Sequence, residues 1–148
     1  ADEPTTALDV TIQAQMLAMI KALQVEYHTA MILITHDLGI VAETCDYVGI
    51  MYAGEIVEYG SAKHIFEHAM HPYTIGLFNA IPSIDKRVER LQVIPGLMPD
   101  PANLPAGCKF SPRCNCGMQQ CSLECPCYIE VEPGHFVRCH QIVPREER

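Results

Sequence analysis

The sequence predicts an α/β fold, and three successive segments support that prediction. Residues 10–27 show the three- and four-residue apolar spacing of an amphipathic helix, at Met16, Leu17, Ile20, Leu23 and Tyr27. The next run, TAMILITHD, is short and apolar, as in strands buried on both faces. The segment DYVGIMYAGEIVEYG then alternates like two strands around a turn at Ala53 and Gly54. This order indicates one half of a parallel α/β sheet.

The remaining elements follow from cap and turn residues. Asp9 is the expected N-cap of the first helix. LGIVAETC is expected to form a short helix, and SAKHIFEHA a helix that begins at a serine cap. HPYTIGLFNAIP predicts another helix, with Pro72 in its first turn. Residues 82–105 are rich in proline and predict a linker or extended wrap, and residues 106–148 form a cysteine-rich segment with little signal for helix or strand. We therefore expect three parts: 1–81, 82–105 and 106–148.

Composition narrows the class of protein. The chain has 148 residues, of which 49% are hydrophobic and 19% charged, as in soluble globular proteins. No apolar run reaches the roughly 18 residues of a membrane span. The acidic start lacks the basic region of a signal peptide, so we expect none. The net charge of −8, with lysine and arginine dispersed, argues against a nucleic-acid-binding surface.

Two adjacent carboxylates open the chain. An aspartate at a strand end can hold Mg²⁺ in a nucleotide site, and a neighbouring carboxylate can orient or deprotonate water, so Asp2 and Glu3 could supply both groups. His36 follows the next predicted strand, and parallel strands present their carboxyl ends at one edge. Such a histidine can contact a phosphate oxygen. An acid pair also arises by chance in loops, and a histidine after a strand can be purely structural.

Taken together, ADEPTTALD and ITHD resemble the Walker B motif, D-loop and switch-histidine segment of the nucleotide-binding subunits of ABC transporters, which are P-loop NTPases. The resemblance implies that Asp2 coordinates magnesium and Glu3 is the catalytic base. It also implies that His36 touches the γ-phosphate of ATP, and that the stretch from Thr6 to Asp9 reaches across a dimer. The family more often has serine where this chain has Thr6, a change that keeps the hydroxyl.

The printed sequence has no glycine-rich stretch followed by Lys-Ser or Lys-Thr, which is the pattern of a phosphate-binding loop. In the family this loop and the signature motif precede Walker B. We therefore expect the chain to be the C-terminal part of an ABC nucleotide-binding domain, followed by a small cysteine-rich extension. Phosphoryl transfer depends on positioning phosphate oxygens, so this piece alone is expected neither to bind ATP tightly nor to hydrolyse it.

HPYTIGLFNAIPS and IPGLMPDPANLPAGCKFSPRC are similar to the C-terminal extension of oligopeptide and dipeptide importer ATPases, a group that includes nickel importers. The resemblance implies a peripheral ATPase subunit at the cytoplasmic face of the membrane, energising uptake of peptides or related solutes. The implied partners are a second ATPase subunit, identical or paralogous, two transmembrane permeases and an extracytoplasmic solute-binding protein. His71 is interpreted as a structural residue at a helix start.

Seven of the eight cysteines lie between Cys108 and Cys139, which favours a local inorganic site over a disulfide framework. Five residues separate Cys108 from Cys114, six separate Cys114 from Cys121, and seventeen separate Cys121 from Cys139. These gaps are looser than the tight pairs of zinc sites and suit a [4Fe–4S] cluster better, with zinc as the alternative. A four-cysteine set at these places also matches the importer extension, where it is associated with such a cluster.

Three extra cysteines leave the ligand assignment open: Cys116, Cys125 and Cys127. His140 could bind zinc, although a structural role is favoured, and Cys45 is interpreted as a buried small apolar residue. The centre is expected to act as a structural staple, with redox sensing as the alternative. A different class of function, a non-enzymatic metal-binding or iron–sulfur regulatory module in which the acid pair is incidental, also fits the residues.

Overall fold

The computed structural model of the chain describes residues 1–81 and 93–143. The chain divides into two compact units, Ala1–Cys45 and Asp46–Arg148. Helices and strands both occur, which confirms the coarse prediction of an α/β protein. Among the residues described, no helix has the length and apolar character needed to cross a membrane.

The first unit is dominated by helix α1, Val10–Tyr27, whose predicted bounds are confirmed. The Asp9 carboxylate accepts a hydrogen bond from the Ile12 N–H at 2.9 Å, as expected of an N-cap. His28 ends the helix in the left-handed conformation, at a φ of 50°. None of the α1 side chains is fully buried, and the apolar stripe that predicts this helix is only partly covered, with Met16, Leu17 and Ile20 half-buried.

The stretch between α1 and the next helix departs from prediction. TAMILITHD was expected to form a strand buried on both faces, but its pairing is limited to one parallel bridge between Asp2 and Ile34. Ile32 remains 81% exposed and Ile34 55% exposed. Met31 and Leu33, on the opposite face, are half-buried, so the stretch is covered in part on one face and not on the other. Helix α2, Leu38–Thr44, follows where it was predicted.

The second unit is built on a four-stranded sheet with the order β1-β2-β4-β3. Strands β1, Tyr47–Tyr52, and β2, Glu55–Ser61, form the predicted hairpin. Ala53 and Gly54 turn between them at φ values of 47° and 82°, the left-handed pair that a two-residue hairpin turn needs. All pairings in this sheet are antiparallel, so the predicted parallel sheet is wrong for it. Hairpin connections of two residues can only join antiparallel strands.

The two predicted helices after the hairpin are confirmed. Helix α3, Ala62–Glu67, begins at Ser61, whose hydroxyl accepts the His64 N–H at 3.1 Å. Helix α4, Pro72–Asn79, has its proline in the first turn, where a missing N–H costs nothing.

The cysteine-rich segment holds more regular structure than its sequence suggested. A 3-10 turn spans Ser111–Arg113 and helix α5 spans Gln119–Leu123. Strands β3, Ile129–Glu132, and β4, His135–Val137, form a second hairpin, and β4 pairs with β2. The prediction of little secondary structure here is wrong, because the run from Ile129 to Val137 around Pro-Gly folds as two strands and a turn.

An aromatic cluster joins the first hairpin, α4 and the cysteine segment. Tyr52 is 1% exposed, and its ring packs edge-on against Tyr73 at 4.7 Å and Phe110 at 5.2 Å between centroids. Residues 93–105 contain no helix or strand, and the chain turns where the Asn103 N–H donates to the Asp100 carbonyl at 2.9 Å. Arg113 donates to the carbonyls of Ile94 and Pro95 at 3.1 and 2.9 Å, tying this segment down. The rest of the predicted wrap, 82–92, lies outside the described residues.

Candidate functional site

The backbone of the first unit brings the acidic pair beside the histidine. The Glu3 N–H donates to the Ile34 carbonyl at 2.8 Å, and the Ile34 N–H donates to the Ala1 carbonyl at 2.9 Å. This register places the acids next to the residues that follow Ile34. His36 lies two residues farther along, and its Nδ1 atom is 3.1 Å from Oε1 of Glu3. The side chains of Glu3 and His36 therefore meet.

The Glu3 carboxylate is held by two side chains. The Thr6 hydroxyl donates to Oε2 at 2.7 Å, while His36 contacts Oε1. The hydrogen bond from Thr6 lowers the pKa of Glu3 most, and that from His36 adds to it, because both favour the charged carboxylate. Glu3 also adopts a φ of 40°, a left-handed conformation that costs a non-glycine residue energy and is typical of functional sites.

The other two acids of the predicted nucleotide site have separate positions. Asp2 is the residue of the parallel bridge and is exposed. Asp9 lies at the start of α1, where its carboxylate is engaged as the N-cap. The structure thus groups Glu3, Thr6 and His36, with Asp2 adjacent to Glu3 in sequence. The contact between Thr6 and Glu3 was not foreseen, since the sequence pattern assigned Thr6 to a dimer contact.

The second candidate site is a pocket among the cysteines. Five cysteines line it, the four predicted ligands Cys108, Cys114, Cys121 and Cys139 together with Cys116. A backbone hydrogen bond from the Cys108 N–H to the Cys121 carbonyl, at 2.8 Å, joins two of the segments that line the pocket. Gly107 makes this approach possible, because a Cβ atom there would lie 2.4 Å from that carbonyl oxygen. The enclosed volume is about 10 Å³, room for roughly one water molecule.

One of the pocket sulfurs accepts a backbone hydrogen bond. The Met118 N–H donates to the Cys121 sulfur at 3.4 Å. Backbone N–H groups favour the thiolates of Cys108, Cys114 and Cys139, but burial outweighs them, and the pKa of each of these three thiols is raised. In this conformation the pocket therefore favours neutral thiols, whereas the thiolate is the form that binds metal.

The pocket is not organised as a single-ion site. Within the described ranges, no three side chains of histidine, cysteine, aspartate or glutamate converge closely enough to hold one metal ion. Burial raises the pKa of the Cys114 thiol to about 11, and burial is also the main cause that raises the pKa of Cys108 and of Cys139. Binding of metal here must therefore release protons and turn the thiols toward a shared centre.

The remaining candidates have other partners. The Cys125 sulfur accepts a hydrogen bond from Nη2 of Arg138 at 3.0 Å. The His140 ring contacts the Glu124 carbonyl through Nε2 at 2.9 Å, which favours its structural interpretation. Cys45 is half-buried at the end of α2, less buried than expected.

A buried polar network lies under the HPYT segment, and sequence reasoning missed it. Glu58 is completely buried, and its Oε1 atom is 2.8 Å from Nε2 of His135. The same carboxylate accepts the N–H groups of Met70 and His71 at 2.8 and 3.0 Å. The sequence feature that indicates this network is a glutamate flanked by apolar residues within a predicted strand.

His71 is placed by that network and caps α4. Its Nδ1 atom accepts the Tyr73 N–H at 3.0 Å, so the neutral ring carries its proton on Nε2. Burial lowers the pKa of His71 to about 4, against a smaller opposing effect of Glu58. These contacts agree with the structural interpretation of His71, although its ring also lines the cysteine pocket.

Comparison with known proteins gives a consistent picture. Residues 57–121 match the family model for the oligopeptide/dipeptide transporter C-terminal region. Over 123 residues, 83% of this chain, the sequence is 55% identical to the oligopeptide transport ATP-binding protein OppD of Haemophilus influenzae, of which it covers 38%. It is 49% identical to OppD of Escherichia coli over 97% of this chain and 42% of that protein. It is also 48% identical to the oligopeptide transport ATP-binding protein AppD of Bacillus subtilis, over 94% of this chain and 42% of AppD. The chain thus spans about two fifths of the length of the curated relatives it matches.

Proposed function

This chain belongs to the family of oligopeptide transport ATP-binding proteins, and we propose that it carries the Walker B and switch-histidine part of an ATPase subunit that energises peptide uptake. The contact between Glu3 and His36 carries this proposal. Two segments far apart in sequence meet at an exposed carboxylate and an exposed imidazole, the groups needed to activate water and to sense a phosphate. In the fold we propose, residues 1–81 complete an ABC nucleotide-binding domain, with 82–105 as connection and 106–148 as extension.

The proposed roles follow from the positions of the side chains. Asp2 would hold Mg²⁺, and ATP with Mg²⁺ would supply the phosphoryl group and its charge. Asp9, at the start of α1, would face a partner subunit as part of the D-loop. Glu3 would take a proton from water. In this structure both of its oxygens already accept hydrogen bonds, so one must be released before Glu3 can do so.

His36 is the partner best able to leave Glu3. Its side chain is 76% exposed, and a phosphate oxygen offers it another contact. Its departure would remove one of the interactions that lower the pKa of Glu3, and the carboxylate would become a stronger base. His36 would thereby link the presence of a phosphate to the basicity of Glu3. Thr6 would keep the carboxylate oriented throughout.

We propose the partners that this role requires. They are a second ATPase subunit, identical or paralogous, two membrane permeases at the cytoplasmic face and an extracytoplasmic solute-binding protein. The names of the relatives favour peptides as cargo over nickel. They also count against a purely regulatory module.

A chimera tests the ATPase proposal. In it, this chain replaces the aligned stretch of the Escherichia coli relative, and ATP hydrolysis and oligopeptide uptake are measured. Glu3→Gln should lower hydrolysis by about 10²-fold or more and leave ATP binding in place, because it removes the base alone. Glu26→Gln, an exposed glutamate on α1, is the matched control. Hydrolysis that survives Glu3→Gln would overturn the proposed role.

The cysteine pocket supports a second part of the proposal, an inorganic centre held by Cys108, Cys114, Cys121 and Cys139. The shared position of these four thiols along one pocket supports it. We favour a [4Fe–4S] cluster over zinc because the gaps of five and six residues between these cysteines are looser than those of zinc sites. Among the described residues no group is arranged to hold a metal ion, so the thiols would have to move to form the centre. The centre would staple the extension to the sheet. Anaerobic reconstitution should yield iron and sulfide with absorbance near 400 nm, whereas one zinc per chain would contradict the cluster.

A further inference from the structure

We propose that Asp37 is a positioning residue for His36 and holds the backbone of this histidine where its ring reaches Glu3. The Asp37 carboxylate does so by capping helix α2, which begins directly after it. The inference rests on the proposed roles of Glu3 and His36. It assigns a task to the aspartate that follows the histidine in ITHD.

The Asp37 carboxylate is bound to the first turn of α2. Its Oδ1 atom accepts the Gly39 N–H at 2.9 Å and the Ile40 N–H at 3.2 Å. N–H groups in the first turn have no acceptor within a helix, so a side chain that accepts them fixes the start of that helix. Gly39 leaves room for this contact, since a Cβ atom there would lie 3.1 Å from the same oxygen.

Helix α2 gives this cap a fixed point of attachment. Ile40 and Val41 are both buried, and burial of these apolar side chains holds the helix in place. The Val41 N–H also donates to the Asp37 carbonyl at 3.2 Å. Asp37 is therefore bound to α2 through both its main chain and its side chain.

His36 lies between this cap and the bridge that carries Glu3. On one side, the Glu3 N–H donates to the Ile34 carbonyl at 2.8 Å. On the other side, the Asp37 N–H donates to Oγ1 of Thr35 at 3.1 Å and closes a turn around His36. Only two residues connect these anchored points. Because the His36 side chain is 76% exposed, its position depends on this backbone more than on packing.

Loss of the cap should therefore displace the His36 ring from Glu3. The contact between the two side chains spans 3.1 Å, close to the upper limit of a good hydrogen bond, so it tolerates little further separation. A phosphate oxygen that replaces Glu3 as the partner of His36 would need the same placement. For reacting groups, a misplacement of about 1 Å can lower a rate by about 10²-fold.

The pKa of Glu3 is the first readout, because the contact with His36 helps to lower it. It is measured on the chain from carboxyl-carbon chemical shifts against pH. Asp37→Ala should raise this pKa toward the value found in His36→Ala, since alanine cannot cap the helix. Asp37→Asn should keep the wild-type value, because asparagine retains the acceptor oxygen without the charge.

Ala42→Gly is the matched control for helix stability. Ala42 is exposed in the middle of α2, and glycine there weakens the helix to an extent similar to the loss of a cap while Asp37 stays in place. The pKa of Glu3 should remain at its wild-type value in this variant. A rise as large as in Asp37→Ala would show that only the stability of α2 matters, and would overturn the positioning role.

Turnover of ATP is the second readout, in the chimera described above. Asp37→Ala should lower the turnover number by about 10-fold and leave the KM for ATP nearly unchanged, because the groups that bind ATP are intact. Asp37→Asn should restore the turnover number. If Asp37→Asn behaves like Asp37→Ala in both readouts, the charge acts and the cap does not, and the inference is overturned.

The remaining outcomes separate this inference from the ATPase proposal. Unchanged turnover in Asp37→Ala, in a chimera that Glu3→Gln inactivates, overturns the positioning role and leaves the ATPase proposal standing. If Glu3→Gln leaves hydrolysis intact, the ATPase proposal fails, and the pKa of Glu3 in Asp37→Ala still decides whether Asp37 positions His36. Should Asp37→Ala not fold, Thr35→Val replaces it, since it removes the acceptor of the Asp37 N–H and keeps the cap. The same rise in the pKa of Glu3 is expected, and its absence overturns the inference.

Discussion

The Nδ1 atom of His36 lies 3.1 Å from the Oε1 atom of Glu3, although 33 positions of sequence separate them. The Thr6 hydroxyl holds the other oxygen at 2.7 Å, so the carboxylate is fixed from both sides. Because the group is exposed, its charge is screened by solvent, and hydrogen bonding rather than Coulomb attraction leads the lowering of its pKa. The orientation of Glu3 therefore depends on a neighbouring threonine as much as on the histidine.

Thr6→Val should raise the pKa of Glu3 toward its ordinary value, and His36→Ala should raise it as well. Valine keeps the shape of threonine and removes the hydroxyl that is the largest cause of the lowered pKa. Carboxyl-carbon chemical shifts followed against pH would measure both variants. Thr11→Val, an exposed threonine on α1, is the control. An unchanged pKa of Glu3 in Thr6→Val would contradict the role ascribed to the hydroxyl.

The candidate nucleotide site was predictable where it rests on short motifs. Asp2, Glu3 and His36 could be singled out because acids and a histidine next to a predicted strand have a chemical use. The contact of Thr6 with Glu3 could not, because it depends on the left-handed conformation of Glu3 and the turn behind it. A side-chain partner three residues away is set by turn geometry, which periodicity does not encode.

Glu58→Gln should lower the free energy of unfolding by about 3 kcal/mol, because it breaks a buried charged network. The carboxylate is completely buried, and it accepts hydrogen bonds from two backbone N–H groups while facing the His135 ring. Glutamine offers one acceptor oxygen in place of two. Urea unfolding followed by circular dichroism would measure the loss. Glu26→Gln on the surface of α1 should change stability little, and an equal loss in both variants would contradict the structural role of Glu58.

The fold was predictable where local signals act alone and less so where tertiary pairing decides. Helix α1, its Asp9 cap and the turn at Ala53 and Gly54 depend on neighbours in sequence, and they were placed correctly. The pairing of β4 with β2 joins residues such as Glu58 and Val137, which lie far apart in the chain. Burial of Glu58 follows from that pairing, so its apolar neighbours in sequence could draw attention to this glutamate but could not identify its partners.

Gly107→Ala should destabilise the cysteine segment by about 1–3 kcal/mol, the usual cost of overpacking. The added Cβ would meet the Cys121 carbonyl at 2.4 Å and the backbone of Ser122 at 2.8 Å, and backbone atoms cannot swing aside as a side chain can. The hydrogen bond from the Cys108 N–H should be lost with it. Thermal unfolding and amide exchange at Cys108 would report both effects.

The control for this substitution is Gly49→Ala in β1. A Cβ at Gly49 would lie 3.5 Å from the Ile56 side chain, an ordinary van der Waals distance, so little loss is expected. Equal unfolding temperatures for Gly107→Ala and Gly49→Ala would contradict the claim that the close backbone approach at Gly107 leaves no room for a Cβ atom.

In His71→Asn, the free energy of unfolding should fall less steeply than in wild type as the pH is lowered from 6.5 to about 4. Burial lowers the pKa of His71 from 6.5 to about 4, so the folded chain binds a proton less readily than the unfolded chain. Its contribution is present above pH 6.5 and is lost as the pH falls toward the folded value, by up to about 3 kcal/mol at 1.36 kcal/mol per pKa unit. Asparagine can still accept the Tyr73 N–H at the start of α4 but does not titrate. Urea unfolding of both chains at several pH values between 4 and 7 measures the slope of the free energy of unfolding against pH.

The control is His28→Asn, at the exposed left-handed end of α1, which should leave that slope as in wild type. An unchanged slope in His71→Asn would mean that another group drives the loss of stability in acid.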